Sequence, residues 1–271
     1  MRVINRRPDS HFALVATALI PFLLVILLYA VFSDIRLSEN PNDKLLPGLD
    51  SMAAAVDRMA FTPSKRTGEY LLWVDTLASL KRLAIGVSVG ALLGLWIGVL
   101  NGLIPWVSAA GSPFVRVLSM VPPLALLPIL FIVFGLGELS KHVLIVIGTA
   151  PFIAREIEQR VRELPPEQLL KAQTLDASTW QIMVRVIFPQ VLPRLFDAVR
   201  LTLGSAWLFL IAAEAIAATE GLGYRIFLVR RYLSMDVILP YVVWITLLAF
   251  VIDYLFRRLN LTLFPWYGSE R

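Results

Sequence analysis

Residues 77–100 read LASLKRLAIGVSVGALLGLWIGVL, a nearly uninterrupted apolar stretch. A helix that crosses the hydrocarbon core of a bilayer needs roughly 20 mostly apolar residues, so this stretch predicts a transmembrane helix. Residues four apart share one helix face, and small residues there let a second helix approach closely in lipid. We therefore predict a helix-packing face, with a substrate path along the same stripe as the alternative. The glycines of this stripe are Gly86, Gly90, Gly94, Gly98 and Gly102.

Similar apolar stretches recur along the 271-residue chain, which is 58% hydrophobic with a mean hydropathy of +0.73. Soluble domains are about 45–50% apolar. We predict an all-α membrane protein with about six transmembrane helices. Their approximate bounds are 12–32, 77–100, 113–134, 142–156, 195–219 and 237–256. The first stretch is longer than the apolar region of a signal peptide, and no small-residue cleavage site follows it, so we expect it to be retained.

Composition also excludes several kinds of site. The chain has no cysteine, which excludes disulfides and thiolate metal sites, and its two histidines predict no metal centre. The net charge of +5 is typical of basic residues that flank membrane helices, so we expect no nucleic-acid partner.

The predicted helices divide the chain into three segments. Residues 1–75 hold the first membrane helix and a periplasmic loop, in which about 49–61 has the apolar spacing of a short amphipathic helix. We predict a core transmembrane domain over residues 76–260 and a cytoplasmic tail over 261–271. Lys and Arg flanks, including Arg2, Arg6 and Arg7 before the first helix, predict that both termini lie in the cytoplasm.

Three prolines interrupt the third predicted helix, namely Pro122, Pro123 and Pro128. Proline removes a backbone donor and clashes with the preceding turn, so this helix should be kinked or broken. Broken membrane helices are tolerated where they line a cavity or are buried by protein. We assign Pro122 and Pro123 to a candidate translocation pathway, with a simple packing kink as the alternative.

A compact polar region lies between the fourth and fifth helices, at about 155–194. Leu164-Pro165-Pro166-Glu167 has the features of a helix start, and Ser178 with Gln181 matches a capping box. We predict a short helix to about Thr174 and a second helix over 179–188 that stops before Pro189. Such a helix–turn–helix at the cytoplasmic surface is typical of a docking element for a partner.

Here the sequence resembles a family. KAQTLDASTWQ at 171–181, followed by VIFPQVLP at 186–193, is similar to the cytoplasmic loop of type I ABC importer permeases. In that family the loop forms coupling helices that fit a groove on the ATPase subunit. Leu170 and Lys171 stand where Glu-Ala is usual, and Asp176 stands where Gly is usual. Asp is one of the few residues that tolerate the left-handed turn that Gly permits.

Three further stretches narrow the resemblance to the nitrate/sulfonate/taurine/bicarbonate branch. They are MVPPLA at 120–125, FGLGE at 134–138 and AEAIAATEGLGY at 213–224. The resemblance implies a bacterial inner-membrane complex of two permease copies, two ATP-binding subunits and a periplasmic binding protein, working by alternating access. The residues that it assigns to ATPase coupling are Glu167, Lys171, Ala172, Thr174, Leu175, Asp176, Ala177, Ser178 and Trp180.

The chain contains no Gly-x-x-x-x-Gly-Lys-Ser/Thr phosphate-binding loop. We therefore expect that it is not an enzyme and binds no cofactor, and that the partner ATPase uses ATP and Mg²⁺.

Several charged residues stay open to two interpretations. Glu214 lies deep in the fifth helix, where a carboxylate is costly; it either contacts substrate or pairs with a Ser, Tyr or Arg of another helix.

Asp197 and Asp253 are expected to pair with nearby arginines. The outer carboxylates Glu138 and Glu220 either meet a binding protein or are solvated. The basic outer patch, Arg225, Arg230 and Arg231, either docks that protein or lies among lipid headgroups.

The main alternative function is an ion-driven secondary transporter, which often shows an inverted repeat that we do not find between residues 1–134 and 135–271. A second alternative is an intramembrane enzyme, which would need clustered reactive side chains.

The resemblance implies a small polar solute, such as nitrate, a sulfonate or taurine, with urea or guanidine as further options. Co-purification with an ATP-binding subunit separates an importer from both alternatives.

Overall fold

The structure, a computed structural model, describes residues 11–41, 43–65 and 67–268. The basic residues Arg2, Arg6 and Arg7, on which the predicted topology partly depends, lie outside this part of the chain. Every regular element in the described residues is helical. In chain order they are α1 (His11–Glu39), α2 (Leu49–Ala60), α3 (Leu71–Leu103), α4 (Pro105–Leu118), a 3-10 turn (Pro123–Leu126), α5 (Leu127–Phe134), α6 (Glu138–Arg162), α7 (Pro166–Thr174), α8 (Thr179–Ile182), a π-helical turn (Met183–Ile187), α9 (Phe188–Ala217), α10 (Leu222–Arg230), α11 (Met235–Leu263) and α12 (Pro265–Gly268).

Within the described residues, four helices are long and apolar enough to cross a membrane: α1, α3, α11 and the continuous helix that ends with α9. The bent pair α4 and α5 makes a fifth candidate span, with an angle of 82° between its two parts. Helix α6 lies outside this set, since it carries charged residues along both of its ends. The all-helical membrane fold predicted from the sequence is confirmed.

Helices α3 and α6 pack along the glycine stripe. Gly86 lies against Ile145, Gly94 against Ile153 and Gly102 against Val161. Because both residue numbers rise together, the two helices run parallel. Gly90 and Gly98 lie between these contacts, against Thr149 and Ile157. The glycine stripe therefore sets the closest approach of α3 to α6. This is the helix-packing role that the sequence predicted for it.

Replacing Gly94 with alanine is expected to destabilise the protein, although alanine favours helices by about 1 kcal/mol over glycine. A Cβ at Gly94 would lie 2.7 Å from Cγ2 of Ile153 and 3.0 Å from the carbonyl oxygen of Ala150. Overpacking of this kind costs about 1–3 kcal/mol. The measurement is the thermal midpoint of the detergent-solubilised protein, followed by size-exclusion chromatography. Gly204→Ala in α9 is the matched control, since nothing lies within 4 Å of the added Cβ; equal midpoints for the two variants would contradict the packing account.

The region from Asn101 to Ser112 is helical apart from a break at Ile104. Helix α4 begins at Pro105, a position that suits proline because the first helical N–H has no partner within the helix. The third predicted helix is broken, as expected: α4 ends at Leu118 and the 3-10 turn begins at Pro123.

The prediction that the helix after Ser178 stops before Pro189 is wrong. The chain continues through α8, the π-helical turn and α9 without a loop. A proline ring clashes with the carbonyl one turn earlier, and the wider π turn at Met183–Ile187 comes immediately before the proline. The wider turn explains how the helix continues.

The short helices α2 and α10 pack on the bundle of long helices. Helix α2 coincides with the predicted amphipathic helix and buries Ala55 and Ala60. Trp73 of α3 donates from Nε1 to the carbonyl of Ala60 at 3.0 Å. The segment after Gly221 forms the nine-residue helix α10.

Candidate functional site

The helix–turn–helix between α6 and α9 is a folded unit, here named the helical hairpin and defined as residues 166–182. Pro166 occupies the first helical position of α7, and Glu167 lies in its first turn, where a negative charge favours the helix dipole. On the second arm, Ser178 and Gln181 form the predicted capping box: the Ser178 Oγ accepts from the Gln181 N–H at 3.3 Å, and the Gln181 Oε1 accepts from the Ser178 N–H at 2.8 Å.

The turn of the hairpin has the geometry of a Schellman motif. The N–H of Ala177 donates to the carbonyl of Ala172 at 3.1 Å, and the N–H of Asp176 donates to the carbonyl of Gln173 at 3.0 Å. Asp176 has a φ of 56°, which is left-handed backbone. Asp176 thus adopts the conformation that the family's usual glycine would adopt, as the sequence predicted.

Substitutions at Asp176 should follow this backbone geometry. Asp176→Gly is expected to keep the hairpin intact, whereas Asp176→Val should destabilise it by about 1–2 kcal/mol, because a β-branched side chain resists positive φ. Hydrogen–deuterium exchange over residues 166–182 measures the difference. Asp176→Asn is the control and should resemble the wild type. Equal protection in the valine and glycine variants would contradict this geometry.

The outer face of the hairpin is apolar at its tip. Leu175 is 76% exposed, and Leu170 and Trp180 are each 59% exposed. The small residues Ala172 and Ala177 face inward and pack against the core. Trp180 also stacks on Trp96 of α3, with ring centroids 6.4 Å apart, which ties the tip to the membrane bundle. The other residues assigned to coupling, Glu167, Lys171, Thr174, Asp176 and Ser178, are exposed.

The break in this span places Pro122 directly before the 3-10 turn and Pro123 at its first position. Ser119, at the end of α4, accepts a hydrogen bond from Arg155 of α6 at 3.0 Å, so the break lies beside α6. The structure thus puts the two prolines at an 82° bend, where Pro122 is exposed and Pro123 is half-buried.

Glu214 lies at the centre of a buried polar network, and its side chain is fully buried. Its carboxylate accepts from the Ser79 hydroxyl at 2.8 Å, from Arg82 at 2.9 Å and from the Gly223 N–H at 2.9 Å. A Cβ on Gly221 would lie 2.6 Å from this carboxylate. The geometry therefore favours the alternative in which Glu214 pairs with neighbouring helices.

Arg82 joins this network to the N-terminal end of α6. It donates to Glu138 at 2.6 and 2.9 Å and to the carbonyl of Glu220 at 2.8 Å. Glu138 also binds Lys141 at 2.7 Å. Arg82 thereby connects α3, α6, α9 and the turn before α10.

A second buried ion pair, between Arg225 and Asp75, removes Arg225 from the predicted basic patch. Arg225 binds the buried Asp75 at 2.7 Å, and Asp75 also accepts from the Gly221 N–H and from the Tyr241 hydroxyl. Arg225 is therefore not part of an open patch. The patch was predicted without a partner for Arg225 because Asp75 precedes it by 150 residues.

Sequence reasoning missed Asp75, Ser79 and Arg82. A charged residue within an apolar stretch is a signal that could have found Arg82, because such residues usually pair inside the bundle. The expected pairing of Asp253 and Asp197 with an arginine is confirmed, since Arg200 donates to Asp253 at 2.8 and 3.0 Å and lies 3.6 Å from Asp197.

The fold has a counterpart among solved structures. The chain superimposes on a chain of the MetNI methionine ABC transporter in inward-facing conformations with a TM-score of 0.63, covering 73% of this chain and 97% of that one at 24% identity. The architecture is thus that of a type I ABC importer permease.

Residues 90–265 match the family described as binding-protein-dependent transport system inner membrane component. The chain belongs to this family and is the permease subunit of an ABC importer. It is 36% identical over 198 residues to the taurine transport system permease protein TauC of Escherichia coli (strain K12), covering 73% of this chain and 72% of TauC. It is 32% identical over 186 residues to the bicarbonate transport system permease protein CmpB of Synechococcus elongatus, covering 68% of this chain and 66% of CmpB. The resemblance to the branch inferred from the sequence is confirmed.

Proposed function

We propose that this chain forms the translocation pathway of an ATP-driven importer for a small solute that carries an oxyanion group. Two copies would form the pathway, two ATP-binding subunits would dock on the helical hairpins, and a periplasmic binding protein would deliver the solute. The chain itself binds no cofactor in this proposal, and ATP and Mg²⁺ are used by the ATP-binding subunits.

The exposed apolar tip of the helical hairpin is the observation that carries this proposal. Leu170, Leu175 and Trp180 are each more than half exposed on a polar segment that is folded into two short helices. Contiguous exposed apolar surface marks an interaction site. A rigid element with a capped helix and a left-handed turn transmits a push from a partner to α6 and α9, which it joins directly.

The topology follows from the parallel course of α3 and α6. Because α3 crosses the membrane and α6 lies beside it in the same direction, α6 crosses between the same two faces. With the bent α4–α5 pair as one span, we propose six crossings, made by α1, α3, α4–α5, α6, α9 and α11. We propose that both termini and the hairpin lie in the cytoplasm of a bacterium, and that α2 and α10 lie at the outer face of its inner membrane.

The substrate class follows from the relatives. TauC is named for taurine, which carries a sulfonate, and CmpB is named for bicarbonate. Both solutes present a small oxyanion. The relatives do not support the urea and guanidine options, and they do not support an ion-driven secondary transporter.

The proposal is tested by reconstituting the permease with its ATP-binding subunits in proteoliposomes and adding the cognate binding protein. We expect ATP-dependent uptake of radiolabelled taurine or bicarbonate, and no uptake when a non-hydrolysable ATP analogue replaces ATP. Uptake that needs an ion gradient but no ATP-binding subunit would overturn the proposal.

A further inference from the structure

A polar cavity of about 310 Å³ lies at the inner end of the bundle, between α4 and α6. Ser112 and Arg116 line it from α4, and Arg155, Glu158 and Arg162 line it from α6. The two helices run antiparallel here, since Ser112 bonds Glu158 and Ser119 bonds Arg155. The cavity therefore extends from the inner end of α6 toward the break at Pro122. This inner cavity has no role in the buried network around Glu214.

The carboxylates of the inner cavity are already neutralised. Glu158 accepts from Arg162 at 2.6 Å and from Ser112 at 2.7 Å. Glu163 accepts from Gln159 at 3.0 Å and from Arg160 at 2.7 Å, and these hydrogen bonds hold the pKa of Glu163 below its usual range. Both acidic residues are thus paired with arginines other than Arg116 and Arg155.

Two arginines of the cavity remain without a carboxylate. The Arg155 guanidinium makes one hydrogen bond, to the Ser119 hydroxyl, and the Arg116 guanidinium makes none to any residue that the structure describes. Arg155 lies seven residues before the end of α6, or about 10 Å along the helix at 1.5 Å per residue. Arg160 is shared by Glu156 and Glu163, so the charged groups around the cavity sum to a net positive charge near the inner end of α6.

An arginine without a carboxylate partner near the end of a membrane helix is expected where the helix faces a water-filled path or a ligand. Arginine presents a planar fork of donors that matches an oxyanion with two parallel hydrogen bonds. We propose that Arg116 and Arg155 form a binding step for the oxyanion group of the transported solute, below the helix break at Pro122 and Pro123. This inference rests on the proposed function and adds a residue-level site to it.

The first test measures the charge of the inner cavity without relying on transport. The chain has no cysteine, so Gln159→Cys supplies a single reporter in the cavity wall. The reporter is modified in the complete complex, in phosphatidylcholine vesicles, by a methanethiosulfonate that carries either a sulfonate or a trimethylammonium group. We expect the anionic reagent to react about 10-fold faster or more, since a charged cleft concentrates counter-ions by 10–10³.

Adding Arg116→Gln or Arg155→Gln to the reporter should reduce this preference several-fold. Arg257→Gln is the matched control, because Arg257 is an exposed arginine of α11 that does not line the cavity; it should leave the preference unchanged. A preference that is the same in all three variants would overturn the proposal, whatever the transport assay shows.

The second test measures taurine uptake per ATP hydrolysed by the reconstituted complex. Arg116→Gln and Arg155→Gln should each lower this ratio about 10-fold, with partial rescue by lysine, whereas Arg257→Gln should not lower it. A phosphate headgroup of an anionic lipid offers the same oxyanion chemistry. Effects that appear only in membranes with phosphatidylglycerol would assign the arginines to lipid and overturn the proposal. Failure of the wild-type complex to couple ATP to uptake would instead contradict the proposed function.

Discussion

Arg82→Met is expected to lower the free energy of unfolding by about 3–5 kcal/mol, the usual cost of leaving a buried partner charge uncompensated. Arg82 is the cation bonded to Glu214, whose side chain is fully buried, and it also binds Glu138. Methionine removes the charge and keeps an apolar stem of similar length. The lost hydrogen bonds would leave the Glu214 carboxylate with only Ser79 and the Gly223 N–H.

A double-mutant cycle separates this electrostatic effect from a general loss of packing. Because Glu214→Gln removes the orphaned charge, the Arg82→Met Glu214→Gln double variant should be more stable than the sum of the two single losses predicts. Unfolding in mixed micelles, followed by tryptophan fluorescence, gives the four free energies. Additive losses would show that the pair is not coupled.

Arg36→Met is the control for this cycle. Arg36 pairs with Asp43, but its side chain is 47% exposed, so water replaces the lost contact. We expect its stability to stay close to that of the wild type. An equal loss from Arg36 and Arg82 would contradict the account of the buried network.

Leu175→Arg is expected to weaken docking of the ATP-binding subunit about 30-fold, because truncation or disruption of a central hot-spot residue costs 2 kcal/mol or more. Leu175 is the most exposed apolar residue of the hairpin tip, at 76%, and lies next to the left-handed Asp176. Since its side chain makes little contact within the chain, the permease itself should fold normally. Co-purification of the ATP-binding subunit and ATP-dependent uptake are the measurements.

Leu45→Arg supplies the control, since Leu45 is also an exposed leucine but lies in the loop between α1 and α2. It should leave docking and uptake unchanged. If Leu175→Arg bound the ATP-binding subunit as tightly as Leu45→Arg, the hairpin tip could not be the docking surface.

The sequence predicted local features well where a short motif determines them. Residues 171–181 predicted both the capping box of Ser178 and the left-handed Asp176, because each depends on neighbours within a few positions. The four-residue glycine spacing likewise predicted the packing face of α3. These features follow from backbone geometry alone.

Long-range pairing was beyond the same reasoning. Arg82 and Glu214 are 132 residues apart, so only the packing of α3 on α9 brings them together. The same holds for Asp75 and Arg225. The sequence also failed to predict that the helix continues through Pro189, but for a different reason. A π turn can accommodate a proline, and the spacing of apolar residues does not indicate where such a turn forms.

Photo-crosslinking from the hairpin tip tests most directly that this segment is where the ATP-binding subunit docks. A benzophenone maleimide is attached to Leu175→Cys, in a chain that has no other cysteine, and the assembled complex is irradiated. We predict a crosslinked product that contains this chain and the ATP-binding subunit, and none from Leu45→Cys. A tip cysteine that crosslinks only to lipid in an active, assembled complex would contradict the account.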